Sequence, residues 1–288
     1  MMDIESLCPL RYNQGEVKMM AVFALAEKLN IPPKTLAALR EIAVPAEQEQ
    51  LKALFFGEPA RFRDYAAGQD GLLILRLYLQ WLEETKARYD AAGISEQLFW
   101  DSMKDLAIWC EDYLEKHGAP GFAEWEWVGA SLRLEVIRIG RLQFAAGRLH
   151  REVTVEGQYY PVGTPVLEVH IPAGEALDEE AVAESLRRAP ALFKQYFGKE
   201  FSLFHCHSWL LSPALGSLLP PGARILRFAQ QFTVYGEDYE ERQAEARVFG
   251  LLSDRYEDYP EKTSLQRALK KALLEGETVG MGLGIRKI

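Results

Sequence analysis

The stretch PVLEVHIPAGEALDEEAVAESLRRAPALFKQYFGKEFSLFHCHSWLL, residues 165–211, has the pattern of a strand, a helix and a second strand. Prolines bound the first strand, at 165–172, and the second covers 201–212. Between them, apolar residues recur at helical spacing: Val182, Leu186, Ala189 and Phe193. Strands joined by a crossover helix normally lie parallel in one sheet. This stretch therefore predicts a sheet with a parallel pair.

Polar side chains occupy one face of each of these strands. Successive strand residues point to opposite faces, so Glu168 shares a face with His170, and His205 shares one with His207. If both faces look the same way, the four side chains form one cluster. Three interpretations stay open: a metal site, an acid–base site, or groups that only hydrogen-bond to their neighbours.

A thiol or hydroxyl nucleophile fits the second strand less well. Cys206 and Ser208 lie on the face opposite the two histidines, so the neighbouring imidazoles cannot activate them. No G-x-S-x-G motif surrounds Ser208. We therefore expect no covalent intermediate.

The surrounding sequence predicts a mixed sheet flanked by helices, which is an α/β (α+β) fold class. Residues 125–139 have a helical pattern, and a turn signal at 156–157 indicates a hairpin. Residues 223–236 predict a long strand, and 263–276 predict a helix with capping-box spacing. Residues 278–288 predict a final strand.

The N-terminal half has a different texture, with helix after helix and no strand-like alternation. Its two longest predicted helices cover 70–93 and 95–118, the second with Ser95 as N-cap. The pattern changes near the glycines at 118 and 121. We predict an all-helical N-terminal domain at 1–120 and a mixed-sheet domain at 121–288.

Composition excludes several classes of protein. The net charge of −9 argues against nucleic acid as a partner, because nucleic-acid binders concentrate Lys and Arg. Three widely spaced cysteines, Cys8, Cys110 and Cys206, indicate neither a disulfide framework nor a zinc knuckle. We expect no signal peptide and no membrane span, since residues 1–10 carry no apolar segment and the most apolar run, LLILRLYLQWL (72–82), falls well below the ~20 residues of a span. We expect a cytoplasmic protein without a membrane partner.

The loop after the first strand has features of a phosphate site. Residues 171–182, IPAGEALDEEAV, lead from a strand end through Gly174 into a helix start. Exposed amides and the helix dipole at such a place can hold a phosphate. Asp178, Glu179 and Glu180 point instead to ordinary helix capping, since acids at a helix start stabilise the helix themselves.

Four segments resemble a bacterial family of acyltransferases. They are IRIGRLQF (137–144), LEVHIP (167–172), FHCHSWLLSPAL (204–215) and TSLQRALKKALLEG (263–276). In that family an all-helical N-terminal domain precedes a C-terminal domain similar to the GNAT superfamily of N-acetyltransferases. The resemblance covers the chain from about residue 123 onward, and the helical half fits in length and texture.

The resemblance implies an acyl-CoA cleft between two splayed parallel strands, at 165–172 and 201–211. It implies that the pantetheine arm pairs with the first strand and that the pyrophosphate sits on loop 172–178. This loop lacks the usual Gln/Arg-x-x-Gly-x-Gly/Ala pattern, so Arg187 or Arg188 would supply cations. The cofactor-binding residues implied are Val169, Ile171, Ala173, Gly174, Ser208 and Arg188.

For catalysis, the resemblance implies Glu168 or His170 as general base, with His207 as the alternate. Backbone amides near 169–171 would polarise the thioester carbonyl. The function expected is transfer of an acyl group, here acetyl, from acetyl-CoA or another acyl-CoA to a small-molecule or peptide amine. No metal is expected. The alternatives are a non-catalytic binding module and a metalloenzyme that uses His170, His205 and His207. The sequence leaves the oligomeric state undecided.

Overall fold

The computed structural model describes the backbone of residues 14–288 and the side chains from residue 20 onward, so Cys8 lies outside the described residues. The chain forms two compact units. The first contains the described residues up to Thr85 together with Leu106–Gly129. The second contains Lys86–Asp105 together with Ala130–Ile288.

The N-terminal half is helical, as predicted. Its helices in chain order are α1 Gln14–Lys28, α2 Pro33–Glu41, α3 Gln48–Gly57, α4 Pro59–Ala66, α5 Gly71–Gln80, α6 Leu82–Ala91, α7 Glu96–Met103, α8 Asp105–His117 and α9 Trp125–Leu132. The Ser95 hydroxyl accepts a hydrogen bond from the Leu98 amide, which confirms the predicted cap of α7.

Both long helices expected from the sequence are interrupted once. The helix expected at 70–93 is α5 and α6, which meet at Trp81, and the helix expected at 95–118 is α7 and α8, which meet at Lys104. The Trp81 ring is buried, with its centroid 5.2 Å from that of Phe55 and 5.7 Å from that of Phe62. Apolar periodicity does not reveal such a break, because tertiary packing decides it.

The C-terminal half contains the strands. Its elements are β1 Val136–Ile139, β2 Leu142–Arg148, β3 Val153–Val155, β4 Gln158–Tyr160, β5 Pro165–His170, α10 Glu179–Phe197, β6 Leu203–Ser208, α11 Leu215–Leu218, α12 Arg224–Ala229, β7 Thr233–Asp238, α13 Gln243–Phe249, α14 Ser264–Leu274 and β8 Met281–Lys287. Six strands form one sheet in the order β1-β2-β5-β6-β8-β7, and β3 and β4 form a separate hairpin.

The predicted mixed sheet is confirmed. β5 and β6 are parallel and are joined by α10, while the other neighbouring strands of the described sheet are antiparallel. The apolar residues that predicted α10 are buried on one side of it. The capping box of α14 is present, with Thr263 and Gln266 bonded reciprocally. The pattern of β5, α10 and β6 therefore predicted the centre of the fold correctly.

Two sequence predictions were wrong in this half. The helical stretch expected at 125–139 ends at Leu132, and its last residues form β1. The long strand expected at 223–236 begins only at Thr233, because 224–229 form α12. Phe228 of α12 packs against Phe232 in the bend just before β7, with the ring centroids 5.4 Å apart. Short apolar runs of this kind fit either period.

The two faces of the sheet are covered differently. Hairpin β3–β4 covers one face, where Val153, Val155 and Tyr160 pack with Val166, Leu203 and Ile285. Helix α10 packs against β1 and β2. Gly282 and Gly284 of β8 admit Leu211, which lies in the 3₁₀ turn Trp209–Leu211 after β6. No helix among residues 14–288 is both long enough and apolar enough to cross a membrane.

Candidate active site

The sheet opens between β5 and β6. The two strands pair in register at Leu167 with Phe204 and at Glu168 with His205, and no further pair follows. Beyond that point β5 stays paired with β2 as far as His170, and β6 stays paired with β8 as far as Ser208. The backbone of Val169–His170 therefore lies along a gap in the sheet.

A chain of three hydrogen-bonded side chains lies at the start of this gap. Glu168 Oε2 lies 2.8 Å from His205 Nδ1, and His205 Nε2 lies 3.0 Å from the hydroxyl of Tyr235 on β7. His205 is 5% exposed, so its ring orientation is fixed by these two partners. Burial and the Glu168 carboxylate raise the pKa of Tyr235, which keeps its hydroxyl protonated. The result is a carboxylate–imidazole–phenol chain.

His170 lies beside this chain, on the same face as Glu168. Burial lowers the pKa of its imidazole, Glu168 acts in the opposite direction, and His205 lowers it further. The net shift is downward, so His170 is neutral at neutral pH and can accept a proton. The structure thus brings together two of the three predicted catalytic residues, Glu168 and His170.

The third predicted catalytic residue, His207, has a different partner. Its Nε2 lies 2.7 Å from Asp238 Oδ2 on β7, and its side chain is 38% exposed. His207 pairs across the sheet with Leu283 of β8. It therefore forms a second histidine–carboxylate contact, on the same face as His205.

The residues on the opposite face of β6 are buried and point away from His205 and His207. Cys206 is fully buried, and burial raises the pKa of its thiol. Burial also raises the pKa of Cys110 in α8, to about 12. Ser208, predicted to bind the cofactor, accepts a hydrogen bond from the Leu210 amide and caps the turn after β6.

Within residues 14–288 no group of three or more His, Cys, Asp or Glu side chains could hold a metal ion.

The loop after β5 is shaped by two arginines, Arg138 of β1 and Arg141 of the turn between β1 and β2. Arg141 donates from Nε to the Ala176 carbonyl oxygen at 2.9 Å and from Nη2 to the Glu175 carbonyl oxygen at 2.6 Å. Arg138 Nη2 donates to Glu175 Oε1 at 2.8 Å. Gly174 has a φ of +86°, which starts the turn. The guanidinium of Arg141 thus holds the loop by its carbonyl groups.

The other predicted cofactor-binding residues lie along the same path. Val169 is buried in β5, while Ile171 and Ala173 are partly exposed at the start of the loop. Within the described chain, the amides of 174–177 donate no hydrogen bond to protein. Arg188 is partly exposed on α10, where its Nε lies 3.9 Å from Glu184 Oε1. The buried cations that contact this loop are instead Arg138 and Arg141, which no sequence pattern singled out.

Replacing Gly147 with alanine is expected to disturb this site selectively. A Cβ at Gly147 would lie 2.5 Å from Glu168 Cγ and 2.5 Å from Glu168 Oε1, so the carboxylate must move away from His205. We expect the Gly147→Ala protein to stay folded but to lose the Glu168–His205 hydrogen bond. NMR of histidine labelled with ¹⁵N measures this as a changed tautomer or shift of His205. Gly216→Ala, where the added Cβ meets nothing within 4 Å, is the matched control. An unchanged His205 signal in Gly147→Ala would contradict this geometry.

Comparison with known proteins agrees with this architecture. A family model described as N-acyltransferase N-terminal domain matches residues 20–134. A second, described as GNAT-like C-terminal domain, matches residues 136–286. No curated protein matches the chain.

Solved acyltransferase structures share the fold. A variant acyltransferase in complex with octanoyl-CoA aligns with a TM-score of 0.75 and 22% identity, over 97% of this chain and 90% of that one. An acyltransferase in complex with decanoyl-CoA and teicoplanin aligns with a TM-score of 0.74 and 22% identity, over the same shares of each chain. The two family models together account for most of the sequence, and the chain therefore belongs to the family of proteins in which an N-acyltransferase N-terminal domain is followed by a GNAT-like C-terminal domain.

Proposed function

We propose that this protein is an acyl-CoA-dependent N-acyltransferase that moves an acyl group from a CoA thioester to a small-molecule amine. The observation that carries the proposal is the Glu168–His205–Tyr235 chain at the point where β5 and β6 separate. The gap offers the free backbone edge of β5 to the pantetheine arm. The family membership and the acyl-CoA ligands of proteins with the same fold support this choice of donor.

In the proposed reaction the amine nitrogen attacks the thioester carbonyl directly. The C–N bond forms, the C–S bond breaks, and the amine loses one proton while the thiolate gains one. Glu168, with neutral His170 beside it, takes the amine proton. A Glu168 that acts as base is a carboxylate, so His205 donates its Nδ1–H to it and accepts the Tyr235 hydroxyl proton at Nε2, which holds the carboxylate in place, while the thiolate gains its proton from solvent. Backbone amides of 169–171 would polarise the carbonyl oxygen.

The loop 172–178 would receive the pyrophosphate. Free amides at 174–177 lie before the N-terminus of α10, and Arg138 and Arg141 place two positive charges next to one carboxylate, that of Glu175. Arg138 and Arg141 also each have a buried Nη1 without a partner in the described structure. These features fit an anionic ligand despite the acids at the helix start.

Calorimetric titration with octanoyl-CoA tests the proposal. We expect saturable binding of octanoyl-CoA, followed by release of free CoA thiol when an amine is added. Acetyl-CoA is the comparison for acyl length, and the amine panel includes a glycopeptide because one protein with this fold was solved with teicoplanin. Absence of binding at millimolar thioester would refute the proposal. Binding without turnover on any amine would instead favour a non-catalytic module.

A further inference from the structure

We infer that Arg141 is a positioning residue that gives loop 172–178 its pyrophosphate-binding conformation and so makes the protein prefer CoA thioesters to pantetheine thioesters. This inference rests on the proposed function. The loop holds one glycine, Gly174, and no arginine or glutamine of its own. Instead, the guanidinium of Arg141, in the turn between β1 and β2, holds the loop from outside, and we call it the clamp.

The clamp acts on two successive peptide groups. The guanidinium of Arg141 reaches the carbonyl oxygens of Glu175 and Ala176 through two different nitrogens, at 2.6 and 2.9 Å. The fork of an arginine is planar and rigid, so both carbonyls are held in one direction. With these carbonyls turned toward Arg141, the amides of the loop stay free for a ligand.

The clamp is itself anchored to α10. The Arg141 amide donates to Ser185 Oγ at 2.8 Å, and Ser185 Oγ donates to the Ala181 carbonyl oxygen at 2.7 Å. Gly140, with a φ of +66°, allows the close approach, since a Cβ there would lie 2.7 Å from Ser185 Oγ. The turn between β1 and β2 is thereby fixed relative to the first turns of α10. The loop is thus set against the helix whose N-terminus it precedes.

Charge supports the same role. Arg138 and Arg141 are 2% and 5% exposed, and Glu175 is the carboxylate in contact with Arg138. Burial and the neighbouring Arg138 lower the pKa of Arg141, as expected for a cation short of compensation. A buried guanidinium with unsatisfied nitrogen atoms is costly. A pyrophosphate on the loop would supply the missing negative charge.

Titration of wild type and Arg141→Lys with octanoyl-CoA and with S-octanoylpantetheine tests the assignment. Lysine keeps the charge but cannot bond both carbonyls. We expect octanoyl-CoA to bind Arg141→Lys about tenfold to a hundredfold more weakly, because hydrogen bonds from a charged donor are lost. Affinity for S-octanoylpantetheine, which lacks the pyrophosphate, should change less than about twofold, well under the 1.4 kcal/mol that a tenfold change represents.

Two further variants complete the experiment. Arg267 also donates to backbone carbonyls, those of Glu261 and Lys262, so Arg267→Lys is the matched control and should bind both thioesters as wild type does. Ser185→Ala releases the anchor without touching the guanidinium and should weaken octanoyl-CoA binding in the same direction. It also keeps the test decisive if Arg141→Lys does not fold.

The outcomes are separable. If Arg141→Lys and Ser185→Ala keep the wild-type preference for octanoyl-CoA, or lose affinity for both thioesters equally, the role of Arg141 is overturned while the proposed function stands. If wild type binds neither thioester, the proposed function fails and the inference fails with it.

Discussion

Replacing Glu168 with glutamine is expected to lower kcat about 10²- to 10⁴-fold, the usual contribution of a general base. The amide cannot take a proton from the attacking amine, and it no longer holds His205 through a charged acceptor at 2.8 Å. The thioester would still bind, because the β5 backbone edge and loop 172–178 are unchanged. The measurement is release of CoA thiol with a saturating amine, alongside the KM for the acyl-CoA.

The design includes a control and a coupling test. Glu184→Gln removes an exposed carboxylate on α10 that pairs with Arg187, and it should leave kcat unchanged. The double variant Glu168→Gln/His205→Ala should be little worse than the more damaged single variant, since residues that act as one unit are strongly non-additive. A wild-type kcat in Glu168→Gln would remove Glu168 as the base and leave His170 as the candidate.

Replacing Gly282 with alanine is expected to destabilise the sheet by about 3 kcal/mol, the upper end of typical overpacking costs. A Cβ at Gly282 would lie 2.6 Å from the Leu211 carbonyl oxygen and 2.7 Å from its carbonyl carbon. Backbone atoms cannot turn aside as a side chain can, so β8 or the turn after β6 has to shift. Urea unfolding of wild type and variant measures the change as a lower transition midpoint.

Gly216→Ala serves as control here as well. Gly216 lies in α11 with nothing within 4 Å of an added Cβ, and alanine is the better helix former. Its unfolding midpoint should be equal to or above that of wild type. Equal midpoints for Gly282→Ala and wild type would show that the turn after β6 is loosely packed on β8.

Much of the fold was predictable because local patterns agreed with the tertiary structure. The alternation in β5 and β6 and the helical spacing in α10 left one topology, a parallel pair with a crossover. The elements that were missed are those in which tertiary packing decides between helical and strand periodicity. α5 and α6 break at Trp81 within one helical pattern, and the pattern of residues 224–229 fits a helix or a strand equally.

The candidate site was predictable only in part. Alternation placed Glu168 and His170 on one face, but the strand register was needed to show that Glu168 faces His205. Tyr235 lies in a segment predicted as strand, yet nothing in the sequence places β7 near β6 with β8 between them. Arg138 and Arg141 lie more than 30 positions before the loop they contact. Partners so far apart in sequence cannot be recognised from the pattern alone. Arg188 is close to the loop in sequence but lies at the surface of α10.

The central position of β8 has a consequence for the order of folding. β6 carries His205 and β7 carries Tyr235, but each hydrogen-bonds to β8, which follows them after two more helices. Contacts between segments so far apart in sequence are expected to form late in folding. The chain between them must first close into a long loop, which costs conformational entropy before the contacts can stabilise the structure. We therefore expect the imidazole and the phenol to come within reach of each other only once β8 has inserted between their strands. The proposed acyl transfer would then depend on a late folding event, and a local opening of β8 would separate His205 from Tyr235.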